Sequence, residues 1–154
     1  MAAEKNSPAT SSGSWVATLA PLLTNLARLV LALVLVWIGL AKCVPGWEPG
    51  TVDSEQLMSL LTVGKVDGTV ALTVVGGLQM LAGLCLAIPR LAGAAVTVLF
   101  LLFAIGVTLA IMHWPVMVGG AGGVTPNAIG TGLLKGLTLH LAAMALAATS
   151  AKKA

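Results

Sequence analysis

The sequence predicts an all-α integral membrane protein: four transmembrane helices in an up-down bundle, with a short amphipathic helix in the first extracytoplasmic loop. Three observations predict it. The chain of 154 residues is 58% hydrophobic and 8% charged, where a soluble domain carries about 25% charged residues. Four apolar runs lie at about 22–41, 69–88, 91–112 and 128–148. Each is close to the ~20 residues that cross a ~30 Å hydrocarbon core at about 1.5 Å per helical residue. The breaks between the runs hold turn-forming sequence: P-G-W-E-P-G at 45–50, Pro89-Arg90, and G-G-A-G-G at 119–123.

Residues 1–14 are small and polar, as expected of a disordered tail. Residues 15–150 form one membrane domain, and 151–154 a short basic tail. The charges of Glu4 and Lys5 cancel, and the apolar run that follows is long enough to span, so the N-terminus does not read as a signal peptide. Trp15 suits the headgroup level, and Pro21 suits the first turn of span one.

Span one carries Arg28 near its start and Lys42 at its end. At ~100° per residue the two share one helical face, about 21 Å apart along the axis. Ala32, Leu35 and Gly39 lie between them on that face. The loop that follows holds Glu48, Asp53, Glu55 and Asp67, four of the five acids. Asp53 and Gln56 have capping-box spacing, and Leu57, Leu60, Leu61 and Gly64 share a face. Residues 53–62 are therefore expected to form the amphipathic helix, lying on the membrane surface or over the bundle mouth.

Pro89-Arg90 leaves so short a connection that spans two and three must form an antiparallel hairpin. His113-Trp114-Pro115 closes span three, a glycine-rich loop follows, and span four ends near Lys152-Lys153. Four spans place both termini on one side, with Lys5, Arg28, Arg90, Lys152 and Lys153. Lys42, Lys65 and Lys135 fall on the other side, so the cation bias puts both termini in the cytoplasm.

The net charge of +3 and pI near 9.2 come from cations dispersed along the chain. They fit orientation signals and lipid headgroup contacts, and no nucleic-acid partner is expected. Cys43 and Cys85 form no C-x-x-C pair, and His113 and His140 show no metal-ligand spacing, so no metal site is expected. The G-G-A-G-G loop follows no strand and lacks the lysine of a phosphate cradle.

Gly39, Gly76, Gly83, Gly132 and Gly136 are small-residue positions where helices could pack closely, within the chain or between copies. Gln79 falls near mid-span and should bond a neighbouring helix. His140, also near mid-span, fits a neutral core histidine or, more sharply, a proton relay or a quinone contact. Quinone headgroups accept hydrogen bonds from His, Lys or Gln, so a quinone or a lipid is the ligand these residue types would suit. Lys42, Glu48, His113 and Lys135 map to the outer end of the bundle as a candidate polar site. Arg28, Gln79 and His140 are the candidate intramembrane polar residues. Snorkelling is the alternative for Lys42, and for Lys135 if it faces lipid.

The stretch R-L-V-L-A-L-V-L-V-W-I-G-L-A-K at 28–42 resembles the opening helix of the DoxX family of small bacterial membrane proteins, where a helix with an early Arg ends in G-x-x-K. Glu48 soon after, and L-L-K-G-L at 133–137, resemble the RclC-like branch. Arg28, Gly39 and Lys42 match the family pattern, and the four-span plan covers nearly the whole chain. The branch's K-D in the last helix is Lys135-Gly136 here, and the glycine-rich tail motif is absent. The resemblance implies a four-helix bundle in the bacterial plasma membrane, linked to redox or oxidative-stress systems; relatives include a small subunit of thiosulfate:quinone oxidoreductase. The expected function is an accessory subunit of such a complex, partnered by other membrane subunits or by its own copies. The alternatives are a quinone-linked oxidoreductase in its own right, or a small transporter or channel.

The topology makes a direct prediction. An introduced Ser54→Cys should react with a membrane-impermeant thiol reagent in intact cells, and Ser12→Cys should not. Labelling of the Ser12→Cys variant from outside would reverse the orientation.

Overall fold

The computed structural model describes residues 14–44, 47, 55, 58, 59, 62, 64–119 and 125–151. It contains α1 (Ser14–Cys43), α2 (Gly68–Ala87), a 3-10 turn (Pro89–Leu91), α3 (Ala92–Met112), the single turn α4 (Trp114–Met117) and α5 (Ala128–Ala151). A two-residue antiparallel bridge pairs Val118–Gly119 with Thr125–Pro126. Four of the helices are long and apolar enough to cross a membrane: Thr18–Cys43 of α1, Gly68–Ala87, Pro89–Met112 and Ile129–Ser150.

Local chemistry sets the boundaries. α1 starts earlier than the sequence predicts, so Pro21 lies inside the helix rather than in its first turn. Its missing N–H leaves the Ala17 carbonyl without the usual helical donor. Asp67 caps α2, its carboxylate accepting from the Thr69 backbone N–H at 2.8 Å. That bond holds the Asp67 carboxyl below the ordinary carboxylate range. The cap therefore contributes fully above pH 3.8 and is lost as pH falls through the lowered folded value. α2 ends where Ile88, forced out of helical geometry by Pro89, turns extended at φ −100° and ψ 113°. The Asn127 side chain accepts from the Gly130 N–H at 2.9 Å and starts α5.

α1 packs most extensively on α2, then α3 on α5 and α2 on α3; of the neighbouring pairs α1 and α5 pack least, and α1–α3 and α2–α5 touch less still. The contacts of α1 and α2 run in opposite senses. A side-chain carbon built on Gly39 would fall 2.5 Å from the Gly76 carbonyl oxygen, and one on Gly83 would fall 2.7 Å from that of Ala32. Only glycine allows backbones so close, and in an apolar medium such contact is a main source of helix association. Gly132 and Gly136, by contrast, face open space.

Two apolar clusters fill the interior. The larger one takes Ala32 and Leu35 from α1, Ala82, Cys85 and Leu86 from α2, Ala92, Ala95 and Leu99 from α3, and Ala143 and Ala147 from α5. The smaller one, toward the other end, joins Leu109 and Met117 to Ile105, Ile129, Leu133 and Met58. Many other large apolar side chains point outward, among them Leu22, Leu33, Trp37, Val74, Leu84, Phe100 and Ile111. On a water-soluble monomer that much contiguous apolar surface would be a liability. The hydroxyls of Thr24, Thr73 and Thr108 donate to carbonyls one turn back, at 2.7, 2.8 and 2.9 Å, which keeps them paired on apolar faces.

Most of the expected amphipathic helix at 53–62 lies outside the described residues. Of its described members, Met58 packs on the smaller cluster, and the Glu55 carbonyl meets the backbone of Gly68. The Thr62 N–H reaches the Met58 carbonyl at 3.4 Å, and Gly64, at φ 70°, takes the left-handed conformation.

The glycine contact carries a stability prediction. Gly76→Val should lower bundle stability by about 1–3 kcal/mol, because the helices must move apart. Gly77→Ala, at a neighbour facing open space, should change it by less than about 0.5 kcal/mol. Unfolding in mixed micelles measures both; equal effects would refute the close approach.

Candidate functional site: a polar layer inside the apolar bundle

Lys42 sits in the last turn of α1, where a cation is favoured by the helix dipole. Its stem passes over Gly76, where an added side-chain carbon would lie 2.9 Å from the Lys42 Cβ. The ammonium then reaches one turn further along α2 and donates to the Gln79 Oε1 at 2.9 Å. Gly76 thus has two consequences: it lets α1 approach, and it leaves the path the lysine follows. Gln79 is 1% exposed, among the most buried large side chains in the protein. A buried amide oxygen without a donor is costly, and a charged donor makes the bond stronger than a neutral one.

His140 lies on α5. It is 8% exposed, and neither ring nitrogen has a hydrogen-bond partner. The Lys42 charge lies within electrostatic range of its ring. Along α5, His140 falls between Leu133 of the smaller cluster and Ala143 of the larger one. Gln79 likewise precedes Ala82 and Cys85 of the larger cluster. Lys42, Gln79 and His140 therefore form a polar layer between two apolar plugs.

The structure regroups the residues the sequence singles out. Lys42, expected at the outer end with Glu48, His113 and Lys135, donates to Gln79. Lys135 is exposed on α5; five residues from His140, it lies about 140° away around the helix. His113 ends α3, half-buried, its Nε2 buried without a partner. Glu48 lies outside the described residues. Arg28 is half-buried toward the other end of α1, with its Nε buried and unpartnered. Cys43 is half-buried and bonds the Thr73 carbonyl at 3.6 Å, while Cys85 is buried in the larger cluster. Among the described residues no three His, Cys, Asp or Glu side chains gather as a metal site would need.

Sequence reasoning missed the Lys42–Gln79 bond. The signal was a pair of matching motifs, Gly39-x-x-Lys42 and Gly76-x-x-Gln79. With the glycines in contact and the helices running oppositely, the two polar residues start about 9 Å apart along the axis. A lysine is long enough to close most of that gap.

No protein-family model matches the chain, and no curated protein or solved structure matches it either.

The pair makes a coupled prediction. Gln79→Leu and Lys42→Met should each destabilise the bundle by about 1–3 kcal/mol, since each removes the charge-assisted hydrogen bond between them. The double variant should lose clearly less than the sum. Strictly additive losses in a micelle unfolding assay would show that the two side chains do not interact.

Proposed function

We propose that the chain is a bacterial plasma-membrane protein whose four helices cross the bilayer up-down-up-down, both termini cytoplasmic. In this reading it serves as an accessory subunit of a DoxX-like membrane redox complex, respiratory or linked to oxidative stress. The observation that carries the reading is the Lys42 ammonium turned inward onto Gln79, together with the buried, unpartnered His140. A cation within hydrocarbon is unfavourable by about 2.5–3.5 kcal/mol on insertion scales, so residues of this kind mark functional sites in membrane proteins. Lys42 is also the lysine that completes the G-x-x-K of the DoxX-like opening helix. The residue behind the resemblance is thus the residue that builds the polar layer.

A second reading, a quinone-linked membrane oxidoreductase in its own right, is favoured by the two unpartnered nitrogens of His140. A channel fits less well, because the apolar clusters on either side of the polar layer interrupt any continuous polar path.

Extraction in mild detergent separates the readings. The accessory-subunit reading expects the tagged chain to retain a stoichiometric partner with the absorbance of a flavin, a heme or an iron–sulfur centre. A chain that purifies alone under conditions preserving other membrane complexes contradicts it. Lys42→Met should lower the redox activity of the isolated complex by about tenfold, the equivalent of one charge-assisted hydrogen bond. Lys135→Met, on an exposed face, should leave it unchanged. Equal effects of the two variants would remove the polar layer from the account.

A further inference from the structure

We infer that two copies of this chain associate in parallel through α1, along an uncharged leucine seam on the side of that helix turned away from α2. The inference rests on the four-span membrane reading above and is independent of the redox reading.

Three observations carry it. First, the outer side of α1 has a heptad pattern. Leu19, Leu26, Leu33 and Leu40 recur at every seventh residue, and Leu23, Val30 and Trp37 stand between them at alternating steps of four and three. All of them are between 36% and 69% exposed. At ~100° per residue they centre about half a turn around the helix from Ala32, Leu35 and Gly39, which form its buried face.

Second, part of the seam runs past the bundle. Gly39 meets Gly76, and seven residues back Ala32 meets Gly83. Continued, that register sets Arg28 about level with Ala87, where α2 ends. α5 ends at Ala151, one turn beyond Ala147, which packs in the same cluster as Ala32. The stretch of α1 from Ser14 to Ala27 therefore projects about 21 Å beyond its neighbours. Every residue from 18 to 27 is exposed except the half-buried Thr24. The 20 residues of α2 fit a hydrocarbon core of ~30 Å. In a bilayer of that thickness lipid tails cover Val30 and Leu33, whereas Leu19, Leu23 and Leu26 lie beyond the tails. A leucine row left there needs a protein surface against it.

Third, the pattern suits a second copy. Leucine at each d-type position with a β-branched residue, Val30, at an a-type position is the combination that favours two parallel strands. Two copies inserted with the same topology hold their α1 helices parallel, as that geometry requires. No like charges meet, because Arg28 and Lys42 lie on the other side of the helix and the flanking Ala20, Leu22, Ala27 and Leu29 are uncharged. The contact is self-complementary and closes at two chains. Trp37 marks its far end: its ring stands 6.1 Å from that of Trp47, and an indole is too wide for the centre of a close pair. The tightest contact therefore runs from Leu19 to Leu33.

The test is the mass of the full chain in density-matched micelles, by sedimentation equilibrium, with helix content checked by circular dichroism. The expected species is a dimer. Leu26→Lys, within the seam, should raise its dissociation constant by about tenfold or more, the loss of one buried leucine from each chain. Asn25→Lys adds the same charge about 100° away around the helix and should change it by less than about twofold. Oxidative cross-linking in phosphatidylcholine vesicles reads the face. In a full chain carrying Cys43→Ser and Cys85→Ala, Leu26→Cys should form an interchain disulfide, and Thr24→Cys, on the opposite side, should not. A monomer at every concentration, equal effects of the two lysine variants, or equal cross-linking at positions 24 and 26 overturns the seam. A chain that inserts into the vesicles as helices and stays monomeric overturns the dimer alone. A chain that fails to insert overturns the membrane reading on which the dimer rests.

Discussion

The contact between Gly39 and Gly76 is the constraint from which the rest of the arrangement follows. An apolar medium offers helices little hydrophobic reason to associate, so close backbone packing must supply it. At this contact either backbone carbonyl lies where the other residue's side chain would begin. The same approach fixes the register of α1 on α2. It brings Ala32 against Gly83 two turns away, and it lays the Lys42 stem across the gap over Gly76. Without the glycine, the lysine would have no path inward to Gln79.

Turning inward has a consequence for the whole interior. Inside the apolar interior the Lys42 ammonium satisfies the buried Gln79 amide oxygen. Apolar packing then resumes immediately on both sides: alanine-rich at one end, and Leu109 with Met117 at the other. The alanines of the larger cluster bring α1, α2, α3 and α5 together, so His140 is held in the same layer rather than exposed. Burial and polarity are thus two results of one packing choice.

Much of the fold was legible in the sequence, because span length and apolar content are set by one-dimensional properties. The four runs correspond to four long apolar helices. The face of α1 between Arg28 and Lys42 holds Ala32, Leu35 and Gly39, which are its buried residues. The site was less legible. Helical geometry gives the face of a residue but not how far its side chain will travel, so Lys42 was grouped by the position of its Cα with Glu48, His113 and Lys135. Its ammonium ends near Gln79, a turn further along the neighbouring helix. Gly132 and Gly136 show the converse. Their spacing matches that of a packing motif, yet they face open space, because spacing alone does not name the partner helix. The start of α1 was also misplaced, since Pro21 is an equally good residue for a first turn and for the interior of a helix that tolerates one missing donor.

The central claim is that the Lys42 ammonium points into the bundle. Solid-state NMR on the full chain in lipid bilayers, measuring dipolar couplings from the Lys42 side-chain nitrogen, tests it most directly. The account predicts a strong coupling to the carbon of the Gln79 carboxamide, to which the nitrogen donates across 2.9 Å, and weak coupling to lipid phosphorus. Strong coupling to phosphorus with none to Gln79 would mean that the lysine snorkels to the headgroups, and would contradict the account.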